Sequence, residues 1–129
     1  MADMDAARMA EVLGLDPEDR YWFSLARIAE HDRMWVIQGD DGVLMPVSPD
    51  GFEYLPVWPD RGLAQAMADL NHPGAMASEM EIETFRAEWL WDLADAAIKI
   101  AVCPGADGAF RECGAETFIT TLEEERQRV

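Results

Sequence analysis

The sequence predicts an α+β fold: a two-layer domain in which a mainly antiparallel sheet of about four to five strands is packed by helices. Apolar residues recur at helical spacing in segments on both sides of a central region, and that region holds three short strand-like runs between glycine- and proline-containing turns. Half of the 129 residues are hydrophobic, among them five Trp and five Phe, which is enough to form a core. A chain of this length is expected to form one domain, residues 1–129, with strands grouped and helices segregated.

A short helix is expected from Ala6 to Leu13, stopped by Gly14 in a left-handed cap. Asp16 is a natural N-cap and Pro17 suits the first position of a second helix running to His31. Its apolar face is read as Tyr21, Trp22, Leu25, Ala26, Ile28 and Ala29, with Arg20, Ser24, Arg27 and His31 opposite. Arg33–Gln38, Val43–Val47 and Phe52–Trp58 read as an antiparallel meander, in which Pro46 and Pro56 must avoid ladder-bonding positions. Asp60 caps a helix over 61–70 with Leu63, Ala66, Met67 and Leu70 on one face. Another helix is expected from about Ile82 to Leu93, with Ile82, Phe85, Trp89 and Leu93 inward; Ser78 with Glu81 forms a capping-box pattern that would start it earlier. Ala97–Val102 alternates like a strand with one buried face, residues 109–113 allow a short fifth strand, and Ala115–Gln127 closes the chain as a helix. In that helix glutamates face Arg126 and Arg128.

Twenty-six acidic against ten basic residues give a formal charge of −16, which argues against nucleic acid or an anionic membrane as partner and favours a basic one. No apolar run reaches the length of a membrane span, and Met1–Asp5 lacks signal-peptide features, so a cytoplasmic location is expected. Cys103 and Cys113 are then expected as free thiols.

The pattern Trp35-Val36, Asp40-Asp41-Gly42, Asp50-Gly51 and Leu55-Pro56-Val57-Trp58-Pro59 resembles a bacterial domain-of-unknown-function family, number 2750. Phe85, Trp89-Leu90, Ile100-Ala101-Val102, Pro104 and Gly108 continue the resemblance over roughly residues 20 to 125. Residues 1–19 form an N-terminal extension outside it. The resemblance implies a compact bacterial cytoplasmic α+β domain and transfers no catalytic residue, ligand or cofactor.

No catalytic, cofactor-binding or metal-binding constellation stands above the structural background. His31 beside Asp32 lies at a helix end, where an imidazolium favours the helix dipole, and His72 reads as a turn residue. No HxH, HExxH, CxxC, calcium-loop or phosphate-loop spacing occurs. Cys103 reads as a buried small hydrophobe. Phe23 and Trp91 fall off the apolar faces of their helices, and each is either covered by another element or part of an interface. With Arg20 and Arg27 they form a candidate interface, because aromatic and arginine side chains are what binding hot spots favour. Trp35, Trp58 and Cys103 form a candidate pocket. Three functions follow as expectations. The first is a non-catalytic interaction module for a basic protein partner, in the manner of inhibitors and immunity proteins. The second is an enzyme or small-molecule sensor with a pocket made only by tertiary folding, and the third is a homodimer formed through Phe23 or Trp91.

Overall fold

In a computed structural model, which describes residues 4–127, the chain is an α+β fold with two three-stranded, mostly antiparallel sheets. Helix α1 spans Ala6–Leu13 and α2 Pro17–His31. Strands β1 (Arg33–Gly39), β2 (Gly42–Val43) and β3 (Tyr54–Val57) follow, then α3 (Arg61–Asn71) and β4 (Met76–Glu81). Next come α4 (Ile82–Thr84), a π-helical turn (Phe85–Trp89) and α5 (Leu90–Asp95), with no break between them. Strands β5 (Lys99–Val102) and β6 (Arg111–Cys113) and helix α6 (Ala115–Gln127) complete the order. Among the described residues no helix is long and apolar enough to cross a membrane.

One sheet has the order β2-β1-β4 and the other β3-β5-β6. They meet where Trp35 and Trp58 exchange both backbone hydrogen bonds, at 2.8 and 2.9 Å. The expected meander is therefore only half right. β1 and β2 form a hairpin whose turn needs Gly42 at φ +115°, a conformation that costs glycine least. β3, however, leaves the hairpin and pairs in parallel with β5, Leu55 opposite Ile100 and Val57 opposite Val102. The carbonyls of Glu53 and Val57 accept from the amides of Lys99 and Cys103, so β3 turns its odd-numbered residues to β5. Pro56 falls between them, at a position that needs no donor.

The Asp16 and Asp60 caps form as expected, the Asp16 side chain accepting from Asp19 N at 2.9 Å. Asp60 is buried; its Oδ2 accepts from Gly62 N at 2.9 Å and its Oδ1 from Met4 N at 3.2 Å, so the same cap anchors the chain before α1. Gly14 does not take the left-handed form: with φ −80° it simply continues the helical turn. The left-handed cap is instead at Asp32, φ 58°, whose side chain pairs with Arg126 of α6; that arginine was expected to answer glutamates of its own helix. Arg128 lies outside the described residues.

The buried face of α2 is Arg20, Tyr21, Ser24, Leu25, Ile28 and Ala29, rotated from the expected one, and Trp22 and Ala26 are exposed. On α3 the buried residues are Leu63, Ala64, Met67 and Ala68, whereas Leu70 is exposed. β4 was unexpected. It pairs antiparallel with β1 over six residues, places Ser78 opposite Val36, and so removes Ser78 from any helix start. Its outer edge is engaged by Gln65 of α3, whose side-chain oxygen accepts from Ala77 N at 2.9 Å while its nitrogen donates to Ala75 O at 3.2 Å. β5, with a strand on each side, buries Ile100, Ala101 and Val102 alike, so both of its faces are covered. Ala97 sits at φ 57° and turns the chain into the strand rather than belonging to it.

The π-helical turn explains a second shift of face. Leu90 N donates to Phe85 O, one residue further than in an α-helix. The inward stripe therefore runs Ile82, Phe85, Leu90 and Leu93, and Trp89 is displaced to the half-buried margin. Phe85 meets Phe118 of α6 edge to face, with centroids 5.6 Å apart. Leu90→Ala is expected to cost about 2–4 kcal/mol in urea unfolding, and Trp91→Ala, at a residue 61% exposed, less than about 0.5 kcal/mol. Equal costs would contradict this assignment of the face.

Candidate functional site

The best-formed concavity lies where β3 and β5 end together. Its volume is about 250 Å³, and its apolar wall is Ile37, Leu44, Pro46, Pro56, Trp58 and Met67. Tyr54, Asn71, His72 and Asp107 add polar groups, and the loop 104–108 closes one side. The sequence positions these groups by simple devices. The Trp35–Trp58 bridge fixes the end of β3; α3 ends at Asn71, where His72 N still bonds Ala68 O at 2.7 Å; and Gly108 at φ +81° lets the 104–108 loop turn back to β6. Trp58 is itself only 2% exposed, with its Nε1 donating to Pro104 O at 3.2 Å, so the indole ties one wall to the loop.

Behind that loop stands Arg20. It is buried and donates to three backbone carbonyls: Cys103 O from Nε at 3.1 Å, Leu15 O from Nη1 at 2.6 Å and Ala109 O from Nη2 at 2.7 Å. A Cβ at Gly105 would come within 3.2 Å of the guanidinium carbon, so any larger residue would press the arginine back by a few tenths of an ångström. The candidate interface therefore loses Arg20: a side chain enclosed by its own loop offers nothing to a partner. The buried face of α2 is turned one step from its apolar stripe, and a long arginine can bury its stem beside Tyr21 and Ser24.

The other interface candidates do not converge. Phe23 is half-buried, with Arg8 of α1 5.0 Å from its ring centroid. Arg27 is half-buried, and its Nε has no hydrogen-bond partner among the described residues. Trp91 stands exposed on α5. An aromatic cluster that was not anticipated surrounds Arg111, whose Cζ lies 4.0 Å from the Tyr21 centroid and 5.4 Å from that of Trp22. Glu18 accepts from both Arg111 and Trp22 Nε1, which occupies this group internally.

Of the pocket candidates, Trp58 lines the cavity, and Trp35 supports it through the backbone bridge without lining it. Cys103 is fully buried beneath, at φ 51°. Burial pushes its thiol up to about 11, against weaker opposing influences from Ser24 and Arg20. The Ser24 hydroxyl faces it without a hydrogen bond of ordinary geometry. Enclosed and held in its protonated form, Cys103 matches the buried small hydrophobe expected of it. Burial also raises Cys113 and, more strongly, Tyr21, with which Cys113 makes contact. Both cysteines are free thiols. No group of three His, Cys, Asp or Glu side chains among the described residues could hold a metal ion. His31, at the end of α2, and His72, in the cavity wall, belong to different parts of the fold.

These features define a small α+β domain with a preformed cavity of mixed lining. The pattern of the family described as Protein of unknown function (DUF2750) matches residues 21–122, and the chain belongs to that family. No curated protein matches the chain.

Two outcomes are expected. Arg20→Met removes three hydrogen bonds and leaves buried carbonyls unpaired, at a cost of about 3 kcal/mol or roughly 10 °C in Tm; a change under about 1 kcal/mol would show that the arginine does not secure the loop. Because Cys103 holds its proton more tightly folded than unfolded, it stabilises the fold below pH 9, and this contribution is lost as pH rises from 9 towards about 11. The urea midpoint should fall across that range, and by less in Cys103→Ala, where Tyr21, Tyr54 and Cys113 are the raised groups that remain.

Proposed function

We propose that this domain is a non-catalytic interaction module that binds a basic protein partner. The observation that carries the reading is the cavity at the ends of β3 and β5, preformed and walled by proline, aromatic and aliphatic side chains, on a chain of formal charge −16. Among the described residues neither lysine nor arginine lines it, and Asp107 is the one carboxylate that does. An acidic surface attracts a basic partner over several ångströms, and an apolar recess then supplies contact area that long-range attraction cannot. Cytoplasmic placement and a bacterial host belong to the same reading.

Association driven this way weakens as salt screens it, with a Debye length of about 10 Å at 0.1 M. Affinity capture with the tagged chain at low and at moderate salt should retain a stoichiometric basic protein that is lost as salt rises. A partner held equally at both concentrations, or an acidic one, would overturn the reading.

A further inference from the structure

We infer that the cavity accepts one basic side chain, arginine or lysine, of that partner. This rests on the interaction reading above and adds where and how the partner is held. The volume of about 250 Å³ falls below the range usual for drug-sized ligands and suits a single long side chain. Pro46 and Pro56, which carry no backbone N–H, and Trp58, whose N–H is bonded to Trp35 O, offer an aliphatic stem a surface without free backbone donors. Polar capacity lies at the rim and favours a cation. Asp107 uses Oδ1 to accept from Ala109 N at 3.0 Å, and among the described residues its Oδ2 carries no hydrogen bond. Helix α3 ends on Asn71, and Asn71 and His72 stand in the same wall, which brings the negative end of its dipole to the site. Tyr54, half-buried against Phe110 with centroids 4.7 Å apart, adds an aromatic ring. Arg20 lies outside the cavity wall, and its donors are directed at the backbone carbonyls of Leu15, Cys103 and Ala109.

The test is a nuclear magnetic resonance titration of the ¹⁵N-labelled full chain with acetyl-Gly-Arg-Gly-amide and with the citrulline counterpart, which keeps the shape and lacks the charge. The arginine peptide should shift the amides of 105–108 and the Trp58 indole, and the citrulline peptide should not. Asp107→Asn preserves an oxygen for Ala109 N, so the loop keeps its turn, and the variant should bind about fivefold more weakly. Shifts confined to other acidic residues would overturn the cavity as the site while leaving the basic-partner reading intact. Equal binding of both peptides, or of wild type and Asp107→Asn, would overturn the cationic head group. No shift anywhere, together with no basic protein captured, would sink both readings.

Discussion

The backbone exchange between Trp35 and Trp58 is the constraint on which the remainder of the structure depends. Each three-stranded sheet is small, and three strands sit at the lower limit of independent stability. Joined at this pair of hydrogen bonds, they present a continuous surface to the helices, and one buried cluster runs from Val12 in α1 to Leu122 in α6. The bridge also sets where β3 must stop. Because the chain leaves β3 at Trp58 and leaves β5 at Cys103, the two exits from a parallel pair lie side by side, and the recess between them becomes the cavity. Open α/β sheets place ligands outside the carboxyl ends of their parallel strands for the same geometric reason.

Arg20 solves the problem that this recess creates. A loop that leaves a buried strand carries carbonyl groups away from any ladder partner, and three of them converge on one guanidinium. A planar group with five donors can satisfy several carbonyls at once, which lysine cannot match in geometry. Gly105 makes the close approach feasible, and Trp58 fastens the same loop from the opposite side through Pro104. The loop that walls the cavity is therefore held from behind by Arg20 and from the cavity side by Trp58.

Much of the fold was legible. Caps at Asp16 and Asp60, the turn at Asp41-Gly42 and the periodicity of α6 are local signals, and local physics decides them. β4 was not legible, because Met76-Ala-Ser-Glu-Met-Glu lacks the β-branched and aromatic residues that mark a strand; its partner β1 and helix α3 impose the extended form. The inward stripe before α5 was misjudged by one residue because a π-helical turn leaves no compositional trace. The parallel pairing of β3 with β5 was hidden by sequence distance, and with it the cavity. Trp58 stands out in the sequence, but Tyr54, Asn71, His72 and Asp107 each read as an ordinary strand or turn residue. Only the crossover brings them together. Arg20 was visible as an arginine, yet nothing in its neighbours revealed the carbonyls contributed by residues 103 and 109.

The contact between Gln65 and β4 bears on how the molecule keeps to itself. An edge strand with unpaired amides is a template for the strand of another molecule, and β4 is the outer strand of its sheet. The Gln65 side-chain amide occupies Ala75 O and Ala77 N in the manner of a neighbouring peptide group, so a helix supplies one rung of the missing strand. Glu81 further along carries charge that a like strand would have to confront, while Glu79 pairs with Arg33 at 3.0 Å. An apolar, acid-rich protein with two small open sheets thus carries its own guard against sheet-to-sheet aggregation, placed on the edge that its longest ladder would otherwise leave bare.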